Sequence, residues 1–337
     1  ILDKAYEEAG ATIAKSGEEA VKDADIVLKV RRPQESELAG YKKGALVIGT
    51  MDVWDDGKAF GAIAKAGVSA MAMELMPRTT RAQVMDVLSS QANLAGYRAV
   101  IDAAEVFDRA MPMMMTAAGT VSPAKVFVMG AGVAGLQAIA TARRLGGSVT
   151  ATDVRPAAKE QVASLGAKFI AVEDEEFKQA ETAGGYAKEM SEGYQEKQAG
   201  LGASEIAKQD IVITTALSPG RPAPVLVSKE MVESMAPGSV IVDLAVERGG
   251  NCPLSKPGKV VEHKGGRIIG YTNVAGRVAA SASGLYARNL FALVETLVDR
   301  EAGKLAVDEE DEIVKAITLT RGGKVIHPLL GANGGKA

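Results

Sequence analysis

The stretch "VFVMGAGVAGLQAIATARRLGGSVTATDVRP" (126–156) constrains this chain more than any other. An apolar run leads into Gly130, Gly132 and Gly135, spaced G-x-G-x-x-G. A helical pattern follows, with Val133, Leu136, Ile139 and Ala140 on repeating faces. A second β-branched run ends in Asp153, at about the 20-residue spacing of the dinucleotide fingerprint. Glycines at this spacing arise easily by chance. The strand before them, the helix after them and the acid beyond assign them distinct roles, namely a tight turn, close approach to a pyrophosphate, and close helix–strand contact. The helix start then offers free N–H groups and a positive dipole end to phosphates. Asp153 is placed to accept from adenosine ribose hydroxyls and to repel a 2′-phosphate, which favours NAD(H). Arg155, two residues on, leaves the NADP(H) alternative open.

The rest of the chain supplies a fold around this motif. At roughly 100–200 residues per domain, 337 residues suggest about two domains. Short β-branched runs alternate with helical patterns, as in parallel sheets with crossover helices. The amino-terminal region reads as strands "DIVLKV" (25–30), "ALVIG" (45–49) and "SAMAM" (69–73), then a long helix over 83–108. A segment broken by Pro and Gly, "MPMMMTAAGTVSP" (111–123), reads as a boundary. Six more strands follow: "KVFVM" (125–129), "SVTAT" (148–152), "KFIA" (168–171), "DIVIT" (210–214), "SVIVD" (239–243) and "RIIGY" (267–271). Six strands separated by helices match two βαβαβ halves. Another long helix from about Ser281 ends in what reads as an irregular tail.

The expected fold class is therefore α/β, with two doubly wound, parallel-sheet, Rossmann-like domains joined by long helices. Residues 1–88 and 281–337 form a discontinuous first domain, and residues 89–280 form the dinucleotide-binding domain with its preceding helix. The connection 172–209 is long and charged. Its "AGGYAKEM" (183–190) reads either as a lid with hinge glycines or as a plain helix-loop-helix.

Composition removes several classes of function. A net charge of −3 gives no basic footprint for nucleic acid or for a polybasic membrane partner. The single cysteine, Cys252, has no second thiol to pair with. No apolar run reaches the ~18 residues of a membrane span, and no signal peptide is present. The chain starts at Ile1 inside a helical pattern and reads as incomplete at its amino end. No HExxH, cysteine cluster or nucleophile elbow occurs, so no metal site is expected and acyl transfer is not supported.

Proton chemistry is also poorly provided for. A dehydrogenase acting on an alcohol or amine moves a proton as well as a hydride, usually with a positioned histidine, lysine or carboxylate. Only His263 and His327 occur, one in an expected surface turn and one in the tail, and neither has a charge partner nearby in sequence. Hydride exchange between two nicotinamides needs no proton. "RTTRAQVMDVLSSQ" (78–91) suits that chemistry or is simply a polar helix start. Gln83 can donate to and accept from a carboxamide, Arg78 can hold a phosphate or amide oxygen, and Asp86 and Ser89 can lock both side chains.

Four segments carry a resemblance: "AMELMPRTTRAQVMDVLSSQANLAGYRAV" (72–100), "MGAGVAGLQAIATARRLG" (129–146), "TTALSPGRPAPVL" (214–226) and "GSVIVDLAVERGGNC" (238–252). Together they resemble the NAD(H)-binding component of the proton-translocating NAD(P) transhydrogenases, across essentially the whole chain. The resemblance implies that the loop Arg78, Thr79, Thr80, Arg81, Gln83, Asp86 and Ser89 lines the nicotinamide. It implies that Gly130, Gly132, Val133, Gly135, Asp153, Val154 and Arg155 hold the rest of NAD(H). Gly185 and Tyr186 would lie on a mobile lid, with Ala216 and Leu217 against the cofactor, and the family's first βα unit would be missing here. A membrane-spanning subunit and an NADP(H)-binding component are the implied partners. This chain would form a homodimer docked peripherally on the cytoplasmic face of the inner membrane.

The alanine dehydrogenases are similar too. They place a lysine in a "KVKEP"-like strand end and a histidine after the next strand. Here those places read "KVRRP", with Arg31, and "LVIGTMDVW", with no histidine. A non-catalytic NAD-sensing module would explain the glycines but not the polar loop.

Overall fold

The structure, a computed structural model, describes all residues except 55, 56, 181–187, 189, 219 and 334–337, with backbone alone at 331–333. The chain divides into two units, Ile1–Ser90 with Ser283–Ala337, and Gln91–Ala282. Both divisions fall within long helices, Val87–Val106 and Ala279–Leu297.

In the first unit, Ile26–Arg31, Leu46–Thr50 and Ser69–Ala72 form a parallel sheet. Their period-2 pattern turns Leu46, Ile48 and Met71 toward Tyr286, Leu290, Leu293 and Leu297 of the long helix, with Ile313 and Ile317. Val47, Ala70 and Ala72 face the other way, onto Phe60 and Ile63 of the helix Gly57–Lys65. The tail is not irregular. Thr318–Arg321 joins the sheet antiparallel to Ser69–Ala72, and Lys324–Val325 extends it. Buried threonines are tolerated there because their hydroxyls are satisfied: Thr318 Oγ1 donates to the Val314 carbonyl at 2.6 Å and Thr320 Oγ1 to that of Val68 at 3.0 Å.

The second unit has the strand order Lys168–Phe169, Ser148–Thr152, Lys125–Met129, Ile211–Thr214, Val240–Asp243, Gly266–Gly270, Lys259–His263. The first six are parallel and read 3-2-1-4-5-6 in chain order, the doubly wound dinucleotide arrangement. The seventh, Lys259–His263, is an antiparallel edge strand where a surface turn was expected before the last strand. Its glycine-marked hairpin to Gly266 returns the chain beside the parallel edge.

Other expectations shift locally. The third strand stops at Phe169 rather than at Ala171. Met114–Thr116 and Gly119–Val121 make a small hairpin within the second unit rather than a domain boundary. The connection 172–209 contains the helices Glu175–Lys178 and Glu192–Ile206, so most of its described length is helical.

Candidate functional site

In the second unit the glycine turn lies between the carboxyl end of Lys125–Met129 and the helix Val133–Arg144. Gly130 has φ +102°, and a Cβ there would stand 2.5 Å from Thr215 Oγ1. A Cβ on Gly135 would come within 1.8 Å of the Gly130 carbonyl oxygen. These two glycines are required by the fold itself. Around Gly132, by contrast, nothing lies within 4 Å of the added Cβ. Its space is open, as it must be if a pyrophosphate is to approach the backbone. The turn therefore fits a dinucleotide: two glycines build it and the third leaves it accessible. Val133 opens the helix with its side chain 42% exposed toward solvent.

Asp153 follows the neighbouring strand Ser148–Thr152, and its carboxylate is fully engaged. Oδ2 accepts from the Ala131 N–H at 2.7 Å and from Arg155 Nη2 at 2.9 Å. Oδ1 accepts from the Arg155 N–H at 2.8 Å and from its Nε at 2.9 Å. A carboxylate has about four acceptor positions, so the pair is saturated. The expectation of a bare acidic ribose acceptor beside an independent arginine needs this correction: the two form one ion-paired unit. Val154 is half-buried beside them. On the other side of the glycine strand, Ala216 and Leu217 follow Ile211–Thr214, and Leu217 is exposed. Gly185 and Tyr186 lie outside the described residues.

In the first unit the polar loop begins less as a helix than expected. Gln83–Met85 is a single 3-10 turn, Asp86 is extended, and the α-helix starts at Val87. The cause is a cap. Asp86 Oδ1 accepts from the Ser89 N–H at 2.9 Å, and Ser89 Oγ donates to Asp86 Oδ2 at 2.6 Å. These two side chains hold each other rather than being shown on Gln83 or Arg78. Arg81 is also committed elsewhere, its guanidinium forking onto the Asp311 carboxylate at 2.7 and 2.5 Å. The hydrogen bond from Arg81 holds the Asp311 carboxyl below the usual range. Arg78, Thr80 and Gln83 are exposed, and Thr79 Oγ1 is buried without a hydrogen bond.

A residue not anticipated from sequence holds this loop. Asn289, 7% exposed, donates from Nδ2 to the Val84 carbonyl at 2.7 Å, and its Oδ1 accepts from Ser90 Oγ at 2.8 Å. Its signal was a lone amide in the apolar helix "LYARNLFALVETL". Just ahead of the loop, Glu74 is buried and accepts from the backbone N–H of Met51 at 2.9 Å; burial pushes its carboxyl up.

The histidines have structural partners. His263 Nε2 lies 2.9 Å from Glu233, and His327 Nε2 lies 3.1 Å from the Ala316 carbonyl. Cys252 is buried, and that burial pushes its thiol up. Arg31 faces Asp52 at 3.4 Å. Among the described residues, no group of three or more His, Cys, Asp or Glu is placed to hold a metal ion, and no helix is long and apolar enough to cross a membrane.

Comparison with known proteins agrees with this arrangement. Residues 1–95 match the model of the alanine dehydrogenase/PNT N-terminal domain, and residues 99–328 that of the C-terminal domain. The chain is 56% identical over 339 residues to an NAD(P) transhydrogenase subunit alpha chain of Rhodospirillum rubrum, covering 99% of this chain and 88% of that one. The crystal structure of transhydrogenase from Sinorhizobium meliloti is 63% identical with a TM-score of 0.87, covering 97% of this chain and 87% of that one. An alanine dehydrogenase of Methanococcus maripaludis is 27% identical over 338 residues, covering 97% of this chain and 83% of that one. The fall from 56% to 27% over the same span separates the two branches. The chain belongs to the alanine dehydrogenase/PNT family, on its NAD(P) transhydrogenase alpha-subunit branch.

Proposed function

We propose that this chain is the NAD(H)-binding component of a proton-translocating transhydrogenase, in which a hydride passes directly between NADH held here and NADP⁺ on a partner. The observation that carries the reading is the glycine turn, in which Gly130 and Gly135 have no room for a side chain while Gly132 has open space. The helix start at Val133 supplies N–H groups and dipole to the pyrophosphate. The ribose hydroxyls take the place of the Arg155 fork on Asp153, and the charge left there disfavours a 2′-phosphate. When bound, the cofactor supplies the hydride, so the chain's own role is to orient and to exclude water.

Gln83 is the residue suited to orient the carboxamide. It is exposed, and its amide both donates and accepts. Arg78 and Thr80 are exposed beside it, while the Asp86–Ser89 cap and Asn289 fix the backbone from which it projects. Neither histidine is needed, because exchange between nicotinamides leaves the proton count unchanged.

The partners in this reading are a membrane-spanning subunit and an NADP(H)-binding component, with this chain on the cytoplasmic face as a homodimer. Three consecutive methionines on the small hairpin, Met113, Met114 and Met115, are 60, 43 and 81% exposed, which supports a protein contact there.

The test is Gln83→Ala in the reconstituted complex. Loss of one or two hydrogen bonds lowers NADH affinity by about 0.5–3 kcal/mol. A ring displaced by an ångström slows transfer to NADP⁺ by about 100-fold. Affinity and rate falling in equal proportion would remove Gln83 from the orienting role.

A further inference from the structure

The loop after Ile211–Thr214 carries Ala216 and Leu217, then runs through Pro222 and Pro224 to Val227. Proline contributes no N–H, so the loop has few donors with which to hold its own carbonyls. Both of its ends are held by one side chain. Asn251, with no exposed surface, donates from Nδ2 to the carbonyls of Ala216 and Pro224, each at 2.8 Å. Its own carbonyl accepts from the Leu226 and Val227 N–H groups at 2.9 and 3.0 Å.

Asn251 is itself tethered. Its backbone N–H donates to Asp243 Oδ1 at 3.1 Å, at the carboxyl end of Val240–Asp243. The same buried carboxylate takes the Ala245 and Cys252 N–H groups and the Ser255 hydroxyl, the last at 2.6 Å. A continuous relay thus runs from the sheet through Asp243 and Asn251 to the loop. Asn251 Oδ1 is buried and makes no hydrogen bond. Leaving such an acceptor unpaired costs about 1–3 kcal/mol. An apolar residue would avoid that cost, so the amide serves as a double donor. A flipped amide would set Oδ1 against two carbonyls, which fixes its orientation.

The strand order says what the loop faces. Asp153 ends one strand, the glycine turn ends the next, and Ala216 ends the third. A dinucleotide with its adenosine at Asp153 and its pyrophosphate at the turn directs its other half toward Ala216 and Leu217. We propose that Asn251 is a positioning residue, setting the height of Ala216 and Leu217 against the nicotinamide half and so the placement of the ring for transfer. This rests on the NAD(H) reading above.

The test is Asn251→Ser in the complex reconstituted with its NADP(H)-binding and membrane components. NADH affinity should stay within about threefold while kcat for transfer falls at least about tenfold, since ring geometry rather than binding is disturbed. The fluorescence of bound NADH should change in intensity or maximum. Should Asn251→Ser fail to fold, Ser255→Ala loosens the same relay through Asp243 and should lower kcat about two- to threefold at unchanged affinity. Wild-type complex without NADH-to-NADP⁺ transfer would overturn the functional reading and this proposal with it. Active wild type, with unchanged kcat in the folded variant or with affinity and kcat falling equally, would overturn the role of Asn251 alone.

Discussion

The turns at 130–135 and 78–89 both open a helix with polar groups, but they are built from opposite materials. At 130–135 the backbone does the work, and side chains are absent because Gly135 has no room for one and Gly132 leaves space for a ligand. At 78–89 the side chains do the work, and several are already engaged with one another or with distant residues, as Asp86 is with Ser89 and Arg81 with Asp311. A backbone site is rigid and intolerant of change. A side-chain site divides its residues between those that hold the loop and those, here Gln83, that remain exposed.

The largest expected effect tests the backbone half. Gly135→Ala drives a Cβ into the Gly130 carbonyl, so the second unit should lose more than about 3 kcal/mol of stability and its NADH binding, seen by chemical denaturation and fluorescence titration. Gly132→Ala should separate the two properties, with an unchanged melting temperature but weakened NADH binding. If Gly132→Ala melts early as well, the open space is not reserved for a ligand.

Asp153 comes next. In Asp153→Asn, the charge-assisted acceptor for the ribose is lost and Arg155 is released from its partner. The preference for NADH over NADPH should shrink by about tenfold or more, because a hydrogen bond to a charged group is worth about 1.5–3 kcal/mol. Competitive titration of the two cofactors measures it. An unaltered preference would leave the selectivity to residues other than this pair.

The smallest effect belongs to the side-chain half. Asp86→Ala removes the cap and should cost about 1 kcal/mol of stability, with NADH affinity nearly unchanged. A large loss of affinity would move Asp86 from holding the loop to touching the cofactor.

The same contrast explains what the sequence could show. The glycine turn, its strand and Asp153 were legible because their signals are local: spacing, periodicity and one acid at the next strand end. The Asp153–Arg155 pair was invisible because it depends on side-chain conformation, although only one residue separates the two. Arg81 and Asp311, or Asn289 and Val84, meet across some two hundred positions, where no local pattern can join them. Thr318–Arg321 read as tail because four residues between Lys315 and Gly322 offer too little periodicity, and the sheet order that makes it a strand is a tertiary fact. Arg78, Gln83, Asp86 and Ser89 were recognisable as a group, but not how they divide between holding and exposing.

The central claim is hydride transfer between two nicotinamides without proton chemistry. Its most direct test supplies the reconstituted complex with NADH deuterated at the transferring C4 position, together with NADP⁺, and follows the label by mass spectrometry. The account predicts that deuterium appears in NADPH and not in water, and that the chain alone with NAD⁺ does not oxidise alanine. Label released to solvent, or turnover of alanine by the isolated chain, would contradict it.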